Sequence, residues 1–209
     1  MDSTKLFVAL LALVNPLGAV PIFISLTQQQ TRAERKKTIL TAATSVAVVI
    51  VVAGVLGQQI IDFFGISIGS LQVGGGLIIL LTALNMLNAK SSAARSTPEE
   101  ESEAETKPNI GVVPLAIPFL TGPGAISTVI VYAHNIRGWL QYLGLFVAAL
   151  AMAALVVLAL SMAGRIARLL GQTGINVATR LMGLILSALA VEIIANGLIR
   201  LLPALANGA

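Results

Sequence analysis

The chain has 209 residues, of which 56% are apolar and 11% charged, with no cysteine and a formal net charge of +4. Charged residues make up about a quarter of soluble domains, so this composition excludes one, and the missing cysteines exclude a disulfide framework or a thiolate metal site. Nor does the basic balance point to nucleic acid, because Lys and Arg gather at the ends of apolar stretches, where they report membrane topology.

Six stretches reach the ~20 apolar residues needed to cross a hydrocarbon core, at 5–27, 38–61, 66–88, 111–133, 139–163 and 177–202. The first starts like a secretory leader, with Lys5 before Leu6 to Val14. Apolar sequence continues through Ile22 to Ile24, however, and the same pattern returns in mid-chain, so the segment is read as retained. It is interrupted at Asn15-Pro16-Leu17-Gly18, with Pro21 following. The fourth stretch is interrupted at Thr121-Gly122-Pro123-Gly124. Proline lacks the N–H and clashes with the preceding turn, so each helix is expected to open at mid-span. In lipid such a break is tolerated only where protein or a solvated cavity takes up the freed backbone groups.

Between the third and fourth stretches lies 89–110, rich in Ser, Ala and Glu and without apolar periodicity, which reads as a flexible cytoplasmic linker. It divides the chain into a first three-helix unit, 1–88, and a second, 111–209. Pro16 and Pro123 stand 107 positions apart, and the offset also aligns Gly76-Leu-Ile-Ile-Leu80 with Gly183-Leu-Ile-Leu-Ser187, and Gly57 with Gly164. Three spans per unit invert the second unit relative to the first. The expected fold is therefore an all-α polytopic membrane protein of six helices, arranged as two inverted three-helix repeats with helices 1 and 4 broken. A matched pair of broken spans is the sequence pointer to a transporter's midplane binding site.

Ten of the thirteen basic residues fall in 28–37, 89–110, 164–176 and the base of the last span; Lys5, Arg137 and Arg200 lie on the other side. The positive-inside rule then puts both termini on the outer face.

At the breaks, Asn15, Pro16, Gly18, Pro21, Thr121, Gly122, Pro123, Gly124 and Ser127 are the candidate substrate-binding residues. The start of a half-helix suits a carboxylate and its carbonyl end suits an ammonium, so N–H groups of Gly18 to Val20 and carbonyls of Leu13 and Val14 could hold a small zwitterion. Asn15, Thr121, Ser127 and Thr128 could equally re-satisfy the opened backbone.

Within the spans, Glu192 is the deep ionisable residue; Asn196 follows four residues later, and Asn85 occupies the equivalent place in the third span. These three are the candidates for a proton or sodium coupling site. The alternative is a protonated Glu192 that merely fastens helices through hydrogen bonds. Gly74-Gly75-Gly76 reads as close helix packing, since no strand precedes it and no Lys-Ser/Thr follows. An enzyme is not expected: there is no Cys, no HExxH, and one His, His134, placed in an outer loop. No metal site and no cofactor are expected.

Asn15-Pro-Leu-Gly-Ala-Val-Pro-Ile-Phe23, Val113-Pro-Leu-Ala-Ile-Pro-Phe-Leu-Thr-Gly-Pro-Gly-Ala-Ile126 and Arg180-Leu-Met-Gly-Leu-Ile-Leu186 resemble the MarC family of six-span bacterial inner-membrane proteins, over essentially the whole chain. The resemblance implies kinship with small-metabolite exporters, some of which carry neutral amino acids. Many relatives have Asp at the position of Asn15, which moves any ion-coupling role here towards Glu192. The function expected is a secondary transporter, an exporter, of a small neutral or zwitterionic metabolite in the bacterial inner membrane. The alternative is a non-transporting scaffold or stress-related factor. Expected partners are that small molecule and the lipid bilayer, with self-assembly left open and nucleic acid not expected.

Overall fold

The computed structural model describes residues 3–88, 110–136 and 138–202, and every regular element among them is helical. In chain order these are α1 (Ser3–Val14), α2 (Val20–Leu26), α3 (Arg32–Phe64), α4 (Ile68–Leu87), α5 (Gly111–Leu120), α6 (Pro123–His134), α7 (Trp139–Ser161) and α8 (Ala163–Leu201). Four of them, α3, α4, α7 and α8, are long and apolar enough to cross a membrane. The segment 89–109, nearly all of the expected linker, lies outside the described residues.

Several boundaries differ from expectation. Residues 28–37 and 164–176 were expected as connections, yet α3 already starts at Arg32 and α8 at Ala163. The early start of α3 has a local cause: Thr31 Oγ1 accepts from the Glu34 N–H at 3.3 Å while Glu34 Oε2 accepts from the Thr31 N–H at 2.8 Å. This reciprocal capping box satisfies two otherwise orphaned donors. Accepting the Thr31 backbone and hydroxyl bonds holds the Glu34 carboxyl below its ordinary pKa. At the far end Gly65, at φ 64°, closes α3 in the left-handed conformation that glycine adopts without strain. Helix α8 is bent where Gly171 takes φ 59° and ψ −178°, a backbone state essentially reserved for glycine.

The short helices are central and the long ones peripheral. On α1, Leu6, Ala9, Leu10, Ala12, Leu13 and Val14 are all buried, against α6, α7 and α8. Leu81 on α4, Leu143 and Leu150 on α7 and Leu184 on α8 are by contrast exposed. A helix that presents large apolar side chains outward is wearing a lipid-facing surface.

The most extensive pairing joins α4 to α8. Its register follows from small residues. A methyl group added to Gly76 would lie 3.2 Å from the Ala190 carbonyl oxygen, one on Gly183 3.0 Å from that of Ala83, and one on Gly197 2.8 Å from that of Gly69. The contacts thus run Gly69–Gly197, Gly76–Ala190 and Ala83–Gly183, antiparallel, with successive contacts seven positions apart on each helix. Seven is the period of a left-handed helix pair, and small residues at it let the two backbones touch.

Candidate functional site

Between α1 and α2 the backbone turns at Asn15, which has φ 42° and is the one non-glycine residue with positive φ among the described residues. Its side chain explains the turn. Asn15 Oδ1 accepts from the Gly18 N–H at 3.2 Å, as the side chain of a helix cap does for the first free donors. The Ala19 N–H reaches the Asn15 carbonyl at 3.2 Å, and the Val20 N–H that of Leu17 at 3.2 Å. The N–H groups of Gly18, Ala19 and Val20, expected to stay available to a ligand, are therefore paired within the chain. None of these three donors bonds the Leu13 or Val14 carbonyl. A side chain on Gly18 would run into the Asn15 amide, its Cβ lying 2.9 Å from Asn15 Cγ. Pro16 falls within the turn, and Pro21 is the second residue of α2, where a missing N–H breaks no helical bond.

The counterpart around Pro123 is built differently. Irregular backbone starts well before the expected break. Val113 and Ile117, each preceding a proline, are extended (φ −126°, ψ 125° and φ −126°, ψ 122°), as the residue before proline tends to be. The chain keeps its hydrogen bonds by widening its turns: the Leu115 N–H reaches the Ile110 carbonyl at 3.3 Å and the Thr121 N–H that of Ala116 at 2.7 Å, five residues back in each case. Gly122 then caps α6, with Pro123 at its start. Gly124 packs close to Leu13 of α1 and Ile79 of α4, so the two interruptions meet in the interior.

Most polar groups flanking the interruptions serve backbone. The buried Thr121 hydroxyl donates to the Ala116 carbonyl at 2.8 Å and the buried Thr128 hydroxyl to that of Gly124 at 2.8 Å. Ser127, half-buried, makes no such bond; it lies against α4, where a Cβ on Gly75 would sit 2.7 Å from its own Cβ and 3.1 Å from its Oγ.

Glu192, Asn196 and Asn85 do not converge. In the α4–α8 register Glu192 stands level with Gly74, while Asn85 stands level with Leu181, eleven residues or about 16 Å along the helix from Glu192. Glu192 and Asn196 are exposed on α8, and Asn85 is half-buried on α4. The partner of Glu192 is Lys5, with Nζ 3.4 Å from Oε1 and both side chains more than half exposed. In water such a pair contributes at most ~1 kcal/mol. His134 at the end of α6 places Nδ1 2.6 Å from Gln58 Oε1 on α3, and Arg200 Nη2 donates to Asn135 Oδ1 at 3.0 Å.

One polar residue at the site was not singled out from sequence. Gln72 lies one turn from Gly75 on α4, is 6% exposed, and its Oε1 is sealed from solvent with no hydrogen-bond partner. The available signal was a lone amide within the apolar run Ile68 to Leu81.

Residues 2–202 match the family described as MarC family integral membrane protein. The chain is 45% identical to the UPF0056 membrane protein YhcE of Escherichia coli (strain K12), over 97% of this chain and 94% of that one. It is 40% identical to YvbG of Bacillus subtilis (strain 168), over 96% of each. With the UPF0056 inner membrane protein MarC of Citrobacter koseri it shares 36% identity over 93% of each chain. No solved structure matches. A match that spans nearly every described helix, on a chain whose peripheral helices wear apolar surfaces, makes this an integral membrane protein of the MarC family.

Proposed function

We propose that this protein is a secondary transporter of the bacterial inner membrane that exports a small neutral or zwitterionic metabolite, such as a neutral amino acid. The observation that carries the reading is the pair of interrupted helices, α1/α2 and α5/α6, meeting in the interior through Gly124 and Leu13. A chain that only braced a membrane would gain nothing from opening backbone there, where each unsatisfied group costs several kcal/mol.

Each interrupted pair counts as one crossing, so that with α3, α4, α7 and α8 the chain spans six times. Both termini then lie outside, in keeping with the basic residues that gather in the first turns of α3 and around α8's start. The inverted repeat is supported by the α4–α8 seam. Shifting by 107 turns the contact Gly76–Ala190 into Ala83–Gly183, so the pairing maps onto itself, as a two-fold axis in the membrane plane requires. The substrate sits where α1, α4 and α6 meet. Proton or sodium coupling is assigned to Glu192, with Lys5 as the counter-ion it releases when α1 moves against α8. The reading is of a carrier rather than an enzyme, needing no cofactor, and self-assembly is compatible with it.

The test is counterflow and gradient-driven uptake of radiolabelled alanine and glycine in proteoliposomes, with proton and sodium gradients imposed in turn. Flux is expected in the wild type and lost in Pro16→Ala and Pro123→Ala. Glu192→Gln should keep exchange and lose gradient coupling. Silence of the wild type across a broad neutral amino-acid panel would remove the amino-acid assignment and favour a scaffold.

A further inference from the structure

We infer that Gln72 and Ser127 form the part of the substrate site that reads an N–H donor, with Gln72 Oε1 accepting a hydrogen bond from the solute's ammonium or amine. The inference rests on the transport reading above and deepens it. A buried carbonyl-type oxygen without a partner forfeits the bond it would make in water, and native interiors rarely leave one so. Gln72 is such a case, at 6% exposure and with Oε1 unpartnered. Every other buried side-chain oxygen or nitrogen among the described residues has a partner, including the hydroxyls of Thr121 and Thr128 at the same interruption.

The neighbourhood gives the orphan its meaning. One turn further along α4 from Gln72 comes Gly75, on which Ser127 rests, and a turn beyond that Ile79 touches Gly124 at the start of α6. Gln72, Ser127 and the Gly122–Gly124 interruption therefore follow one another along the α4–α6 boundary. On its other side Gln72 abuts Gly197 of α8. A residue packed at the α4–α8 boundary is sealed while the two helices stay together and reached when alternating access parts them. An amide oxygen that only accepts there selects a donor, and the Ser127 hydroxyl, free of any back-bond to its own helix, can answer a carboxylate. A charged ammonium donates to that oxygen about twice as strongly as a neutral hydroxyl does, so the site favours an amino acid over a hydroxy acid or sugar.

Gln72→Met, nearly the same in volume, removes the acceptor; Gln72→Glu keeps one. Purified wild type and both variants are assayed by alanine counterflow, with lactate, which lacks the N–H, as competitor, and by thermal unfolding in detergent without solute. Gln72→Met should raise the KM for alanine roughly tenfold at little change in maximal exchange. It should also erase the preference for alanine over lactate, while its melting temperature holds or rises because an unpartnered polar atom has left the interior. Gln72→Glu should keep a preference for alanine. Unchanged KM and selectivity in Gln72→Met, with wild-type flux intact, would overturn the inference alone. A lowered melting temperature at unchanged KM would do the same by making Gln72 structural. A wild type that exchanges neither alanine nor any other neutral amino acid would instead remove the transport reading, and this assignment with it.

Discussion

Asn15 holds a positive φ that costs an ordinary residue ~1 kcal/mol or more, and it is tolerated because its amide oxygen caps the turn it creates. The two facts make the position sensitive in a particular order. Asn15→Asp keeps the acceptor and should be nearly neutral. Asn15→Gly accepts φ 42° but loses the cap. Asn15→Ala loses both and should destabilise by about 1–2 kcal/mol. Gly18→Ala should behave like Asn15→Ala, since the new methyl group displaces the amide that makes the cap. Thermal unfolding in one detergent ranks the four; equal stability of the Asp and Ala variants would mean the Gly18 bond contributes nothing. The sequence marked Asn15 and Thr121 as site residues because of their prolines. Their side chains turn out to be engaged with backbone, one of the two roles open to them. What it could not mark was Gln72, since the lack of a partner is a property of packed helices and leaves no trace in a run of letters.

At the scale of elements, glycine means opposite things at different places. Those at seven-residue spacing on α4 and α8 sit where backbones touch, whereas a methyl group on Gly164, near the start of α8, would meet nothing within 4 Å. Gly183→Val should therefore force α8 off the Ala83 carbonyl and Met86, lowering the melting temperature by several degrees, as overpacking costs ~1–3 kcal/mol. Gly164→Ala should raise stability by about 0.5–1 kcal/mol, because it removes backbone freedom from the unfolded chain at no steric cost. A melting series that moved both variants in the same direction would refute the seam. Of the stretch Gly74 to Gly76, read from sequence as close packing, Gly76 packs on α8 and Gly75 on Ser127 of α6, while a methyl group on Gly74 would meet nothing within 4 Å. Which helix it met was not legible, because apolar repeats align at many registers and only contact distances choose among them. The helical class and the membrane-crossing length of α3, α4, α7 and α8 were legible, since hydropathy over ~20 residues needs no tertiary information. The extent of the irregularity in α5 was not: Pro114 and Pro118 disturb ten residues through wide turns that keep most hydrogen bonds, and composition reports no such compromise.

In the whole molecule, three polar ties between separate elements lie towards one end. Lys5 meets Glu192 across α1 and α8, His134 meets Gln58 across α6 and α3, and Arg200 meets Asn135 across α8 and the end of α6. All three involve the end opposite the Thr31 capping box, the outer face in the topology proposed above. Each is a partly exposed contact contributing ~1 kcal/mol or less, yet in the proposed transporter they would together bias a two-state equilibrium by enough to change which side is open. Removing them should shift the population towards a form open at that end. The chain has no cysteine, so a single introduced thiol reports this without background. Ser127→Cys, half-buried beside Gly75, should react slowly with a membrane-impermeant maleimide added outside. Adding Glu192→Gln and Arg200→Ala to that variant should speed labelling by roughly tenfold, the factor expected for ~1.4 kcal/mol of lost bias. The same additions should leave the melting temperature within a few degrees, because exposed ties hold a state and not the fold. Faster labelling accompanied by a collapse in thermal stability would mean that the ties support the bundle itself. Unchanged labelling would mean that the outer end is held shut elsewhere, with the seam of small residues between α4 and α8 the next place to loosen.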